Sequence, residues 1–185
     1  MSSDPGAAGR YTRIAILLHW AIAALMLTTI PLGLYSANSE GALADRLTNM
    51  HKLIGIATLA LTLVRIGWRL THRPPPLPCA MAPAPRLMAR ATHIAFYGLL
   101  LAMPLSGWWM TSAFPKRHAF GIPGVFDVPF LPVEMSMSSA GTAYEVHEIL
   151  GWMTIGLIVL HVAAALKHHF ADHDDILTRM LGTNR

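Results

Sequence analysis

The chain has 185 residues, of which 54% are apolar and only 13% charged. Soluble domains carry roughly 25% charged residues, so an ordinary globule is excluded, and so is a disordered chain, which needs low hydrophobicity and high charge. The single cysteine, Cys79, excludes an internal disulfide framework, a cysteine-rich zinc module and an iron–sulfur cluster held by this chain alone. What remains is an all-α integral membrane protein in a single domain, 1–185.

The first apolar stretch runs at about 14–34, after Arg10 and Arg13. It exceeds the roughly 7–15 residues of a signal-peptide core, and no small-residue cleavage pattern follows, so it reads as a retained span. A short linker, 41–49, leads to a second stretch at about 50–70. Pro74, Pro75, Pro76, Pro78, Pro83 and Pro85 make 71–90 read as an extended strap. A third stretch lies at about 91–112. The loop 113–145 is broken by Pro115, Pro123, Pro129 and Pro132 and is long enough to lie along the membrane surface. The fourth stretch, about 146–169, precedes a polar tail with room for one short helix starting near Asp174 or Asp175. Each stretch meets the roughly 20 residues that a bilayer requires, and lipid demands that each be a helix.

Lysine and arginine counts set the orientation. Arg10, Arg13, Arg65, Arg69, Arg73, Arg86, Arg90, Lys167, Arg179 and Arg185 fall on one side; Arg46, Lys52, Lys116 and Arg117 fall on the other. Both termini are therefore expected in the cytoplasm. The net charge of +4 reads as a topology signal, and no nucleic-acid partner is expected.

Polar groups inside a span are costly and face the bundle interior. His147 and His161 are 14 residues apart, on nearly one face of the fourth helix and about 21 Å apart along its axis. His19 matches His161 in depth near the inner side, and His51 matches His147 near the outer side. Two stacked bis-imidazole sites fit this arrangement, and such ligation in a four-helix bundle suits b-type haem. Gly55 and Gly151 each follow a histidine by one turn, where they either clear space for a macrocycle or serve close helix packing.

His19 and Gly33 have the same spacing as His93 and Gly107, which hints that helices one and two repeat as three and four. His93 is thereby the alternative to His19 on the inner side, or a hydrogen-bonding neighbour of a propionate or quinone. Arg65 follows His51 by the interval that separates His161 from His147; it either pairs a haem propionate or snorkels to the headgroups, as Arg69 does. His168 and His169, at the inner helix end, serve a quinone or simply sit at the interface. Trp20, Trp108, Trp109 and Trp152 read as interfacial and packing residues.

Arg10-Tyr11-Thr12-Arg13 before Leu18-His19-Trp20, His51-x-x-x-Gly55 with Val64-Arg65, and His147-Glu148 leading to Leu160-His161 together resemble the bacterial cytochrome b561 family. The run from Ala163 to Phe170, with Lys167-His168-His169, adds to the likeness. The resemblance implies a four-helix inner-membrane bundle with two haem b groups, His19 and His161 on the inner iron and His51 and His147 on the outer. It further implies an oxidoreductase passing electrons from a periplasmic-side donor, superoxide or another, to ubiquinone, with His168 near the quinone end. Such a protein contacts membrane lipid and leaves room for a homodimer.

Two other readings remain open. The same helices could form the cytochrome b subunit of a larger dehydrogenase or hydrogenase. A histidine-based metal-ion transporter would be expected to add carboxylates inside its spans, and none lies well inside them here.

Overall fold

A chain in lipid must satisfy its backbone donors and acceptors within each crossing segment, and four long helices do so here. The computed structural model describes residues 11–72, 74–76, 83–122 and 124–182; Arg10, Arg73, Pro78, Cys79, Pro123 and Arg185 lie outside them. Helices α1 (Arg13–Ala37), α2 (Ala42–Thr71), α3 (Pro83–Ala113) and α4 (Met137–Phe170) are all long and apolar enough to cross a membrane. A two-stranded hairpin, β1 (Gly121–Ile122) and β2 (Phe126–Asp127), lies between α3 and α4, and α5 (Ile176–Leu181) ends the fold.

Three of these helices begin about two turns before the apolar stretches do, because a helix can continue into water after its hydrophobic residues run out. The linker expected at 41–49 is helical from Ala42, so the break between α1 and α2 runs from Asn38 to Gly41, whose φ is 97°. The strap expected over 71–90 is also shorter. Residues 74–76 have no regular structure, but Pro83 and Pro85 occupy the first turn of α3, where a missing N–H costs nothing. At the start of α4 the Ser136 hydroxyl accepts from the Ser139 N–H at 3.0 Å, which caps a helix starting nine residues before the expected span. The tail helix does begin beside Asp175, its N-cap residue.

Helix α1 packs on α2, α3 on α4, and α2 against α3. All four meet at one apolar cluster of Ile22, Met26 and Leu100, flanked by Ile30, Leu61 and Ile158. Thr58 and Thr154 are buried in the bundle and return their hydroxyls to the carbonyls of Ile54 and Leu150, at 2.8 and 2.7 Å. This local bond meets the hydroxyl's needs where no water can. Leu17, Leu27, Leu63 and Leu160 point outward, as a lipid-facing surface requires.

Indole N–H groups tie the ends down. Trp20 donates to the Met180 carbonyl at 2.7 Å and so docks α5 on α1. Trp108 donates to the Pro129 carbonyl at 2.8 Å, and the Ser112 hydroxyl accepts from the Leu131 N–H at 2.9 Å. With Phe120 and Val128 buried, the loop after α3 folds back over the end of the bundle where α3 ends and α4 begins.

Leu100 sits in the cluster where the four helices meet, whereas Leu27 is 64% exposed. Leu100→Ala is therefore expected to cost roughly 2–5 kcal/mol and Leu27→Ala to be close to neutral. Thermal unfolding of the two variants in detergent compares them directly.

Candidate functional site

Four of the histidines singled out above come together in two pairs at different depths. At the outer level His51 of α2 faces His147 of α4, with ring centroids 6.0 Å apart and planes at 85°. At the inner level His19 of α1 faces His161 of α4 at 6.3 Å and 70°. Two imidazoles on opposite sides of one metal, each at a metal–nitrogen distance of about 2 Å, would hold their centroids about 6 Å apart.

The outer rings are aimed by the neighbouring helices. His51 Nδ1 lies 2.9 Å from the Thr29 carbonyl and 3.0 Å from the Thr29 hydroxyl. His147 Nδ1 lies 3.1 Å from the Met103 carbonyl and 3.0 Å from the Ser106 hydroxyl. A carbonyl only accepts, so in both rings Nδ1 carries the proton and Nε2 keeps its lone pair. That tautomer is the one that offers Nε2 as a metal ligand.

Each outer ring lies close against a glycine of the adjacent helix. A Cβ at Gly33 would come within 2.7 Å of His51 Cε1, and one at Gly107 within 2.9 Å of His147 Cε1. Side chains there would push the rings away, so α1 and α3 each supply a glycine and, one turn earlier, the carbonyl acceptor. These four positions were missed as site residues. The signal was present in the equal spacing of Gly33 from His19 and Gly107 from His93, but only the packed helices show which ring each glycine admits.

Gly55 and Gly151 have a different setting. Among the described residues a Cβ on Gly55 would meet no atom within 4 Å, and one on Gly151 would meet Met103 Cε at 3.4 Å. Among the described residues Gly55 therefore makes no close helix–helix contact, whereas Gly151 faces Met103 of α3.

At the inner level three imidazoles converge. His93 of α3 lies 6.2 Å from His161, as near as His19 does, and its Nδ1 donates to the Ala89 carbonyl at 2.7 Å. Phe96 packs edge-on against His161 at 5.1 Å. Arg65 Nη1 is 3.1 Å from His19 Nδ1. A guanidinium only donates, so in this arrangement His19 accepts at Nδ1 and carries its proton on Nε2. Ligation through Nε2 would require that proton to move to Nδ1 and Arg65 to turn away.

His168 stands apart from both pairs. Its Nδ1 is 2.6 Å from Asp174 and 3.2 Å from Asp172, and Lys167 Nζ reaches the Asp172 carboxylate at 2.7 Å. Hydrogen bonding to Lys167 holds the Asp172 carboxyl below the usual carboxylate range. His168, Asp172 and Asp174 bring three ligand atoms within 4.8 Å of one another, but Lys167 already neutralises Asp172, so the group reads as an ion-pair network.

On the outer side Lys52 Nζ lies 5.6 Å from the Phe120 ring centroid. Arg117 is folded over Phe130 at 4.2 Å and donates to the Ser112 carbonyl at 2.9 Å.

Residues 10–183 match the family model described as prokaryotic cytochrome b561. Cytochrome b561 homolog 2 of Escherichia coli is 37% identical over 176 residues, covering 94% of this chain and 92% of the relative. The probable superoxide oxidase CybB of Yersinia pestis is 26% identical, covering 95% of this chain and 98% of its own. Cytochrome b562 of Cereibacter sphaeroides is 26% identical over 98% of both chains. The paired imidazoles inside a four-helix bundle thus have their counterpart in the sequence relationship: the chain belongs to the prokaryotic cytochrome b561 family, as a membrane-embedded electron-transfer cytochrome.

Proposed function

We propose that the chain holds two b-type haems, one at each histidine level, and carries electrons from superoxide at the periplasmic face to ubiquinone at the cytoplasmic face. The observation that carries this reading is the pairing of imidazoles from facing helices at two depths, with centroids 6.0 and 6.3 Å apart. The residues present fit the group: the outer rings offer Nε2 lone pairs, and Gly55 leaves room for a flat ring beside His51. When bound, iron porphyrin supplies one-electron redox chemistry.

The chain's own residues do the rest. His51 and His147 would hold the outer group, their rings oriented by the carbonyls of Thr29 and Met103. His19 and His161 would hold the inner one, with His93 beside them. With two imidazoles engaged at each level, the groups would supply electron transfer rather than oxygen binding. Arg65, once turned from His19, has the bidentate fork that a haem propionate accepts.

His147 and His161 lie about 21 Å apart along α4. Between them the cluster of Ile22, Met26 and Leu100 excludes water. An anionic donor would be drawn to the outer level by Lys52, Arg46, Lys116 and Arg117. The ten cations on the opposite side would keep that side and both termini in the cytoplasm of a bacterial inner membrane.

Spectra and haem quantification test the cofactor reading. The purified chain is expected to carry two low-spin b haems, and His147→Ala and His161→Ala are each expected to lose about one. Gly107→Val, which forces a side chain onto His147, is expected to lose the outer haem selectively. Full pigment in the histidine variants would remove the basis of the proposal.

Steering is tested by Lys52→Glu combined with Lys116→Glu. Superoxide oxidation is expected to slow by roughly tenfold at low ionic strength, with the difference shrinking as salt rises. For orientation, a green fluorescent protein fused after Arg185 is expected to fluoresce in a bacterial host, since it folds in the cytoplasm; a dark but fully expressed fusion would reverse the assignment.

A further inference from the structure

The two histidine levels differ in what their Nδ1 atoms meet. At the outer level each ring donates into a fork of two oxygens, one from the main chain and one from a hydroxyl. For His51 these are the carbonyl and hydroxyl of Thr29, at 2.9 and 3.0 Å. For His147 they are the Met103 carbonyl at 3.1 Å and the Ser106 hydroxyl at 3.0 Å. Both hydroxyls have their own protons committed elsewhere. Ser106 donates to the Met103 carbonyl at 2.7 Å, and Thr29 to the His51 carbonyl at 3.3 Å. Each hydroxyl oxygen is therefore left to accept, and each outer imidazole faces two acceptors.

The inner level has the opposite polarity. His19 Nδ1 meets the Arg65 guanidinium at 3.1 Å, a group that only donates. His161 is bordered by the rings of His19, His93 and Phe96, at 6.3, 6.2 and 5.1 Å, and among the described residues it bonds to no main-chain carbonyl. Lys52 does not make the outer level equivalent. Its Nζ lies over the Phe120 ring at 5.6 Å and, among the described residues, bonds to neither outer imidazole.

An acceptor at Nδ1 makes an imidazole more basic, and so favours the more positive, oxidised state of a metal that it binds. A nearby cation favours the less positive, reduced state; both effects move a reduction potential. We propose that Thr29, Ser106 and Arg65 are positioning residues that set the two haems apart in potential, the outer held low and the inner held high. This deepens the two-haem reading above and rests on it. One electron given up by superoxide, which becomes dioxygen, then settles at the inner level; the outer centre is left oxidised and the inner reduced, with no proton moved. Arg65 acts in this sense whether it stays on His19 or turns to a propionate, because its charge remains at the inner level in both positions.

The test is a spectroelectrochemical titration of the full haem-loaded chain in lipid nanodiscs. Two one-electron steps are expected. His161→Ala, keeping the outer haem, is expected to match the lower step, and His147→Ala, keeping the inner, the upper. Ser106→Ala and Thr29→Val each remove one of two acceptors. Each is expected to raise the lower step alone, by roughly threefold in the reduced-to-oxidised ratio at fixed potential. Arg65→Gln is expected to lower the upper step alone by roughly tenfold, which is about 59 mV for one electron. Arg65→Lys keeps the charge and is expected to restore most of that shift.

Coincident steps, a lower potential in His147→Ala than in His161→Ala, or variants that move both steps together overturn the assignment and leave the two haems standing. Should Arg65→Gln shed the inner haem, the order of the two steps and the Ser106→Ala shift still decide it. A purified chain that binds no haem sinks the parent reading, and the assignment with it.

Discussion

The structure depends on how an imidazole is held inside a membrane-spanning bundle. A histidine inside a bilayer has two nitrogens to satisfy, and at the outer level the chain satisfies one of each pair with a main-chain carbonyl. Thr29 and Met103 accept from the Nδ1 of His51 and His147. Because those acceptors lie in the backbones of α1 and α3, they cannot be lost to a side-chain rotation. The remaining nitrogen of each ring is left with its lone pair, and the two rings stand 6.0 Å apart. Gly33 and Gly107 let the rings come that close to the neighbouring helices.

This device is used twice, and its repetition explains the four-helix plan. Helices α1 and α2 form one unit, with a carbonyl and a glycine on the first and a histidine on the second; α3 and α4 form another. Within α2 and α4 the order histidine, glycine, buried threonine recurs as His51, Gly55, Thr58 and His147, Gly151, Thr154. The repeat breaks fourteen residues after each histidine, where α2 carries Arg65 and α4 carries His161. The inner level is accordingly asymmetric: three imidazoles and a guanidinium meet where the outer level has two imidazoles. At the inner pair a guanidinium contacts one of the rings, whereas at the outer pair Lys52 lies over Phe120, so the two ends of the bundle have different electrostatics.

Between the levels lies an apolar cluster to which every long helix contributes. It separates the two polar layers, and the hydroxyls of Thr58 and Thr154 buried beside it bond to carbonyls of their own helices. The polar chemistry is pushed to the ends: the outer one is covered by the folded-back loop, and the inner one is bordered by arginines, aromatic rings and the docked tail helix.

Much of this was legible before the fold was known. Apolar run length marks four crossing helices, because lipid permits little else, and the depth of each histidine follows from its distance to a span end. Those two rules already bring His19 to the level of His161 and His51 to that of His147. What they miss is set by contacts across helices. Hydropathy does not register Ala42–Asn49, Pro83–Arg90 or Met137–Glu145 as helix, because those turns are polar or proline-bearing while their backbone bonding is undisturbed. Nor does it reveal that Gly33 and Gly107 belong to the histidines of the next helix, that Arg65 contacts His19, or that His93 is as near to His161 as His19 is. Spacing along a helix fixes height and face, but which side chain lies opposite is decided only when two helices choose their mutual rotation, and that choice is made by tertiary packing.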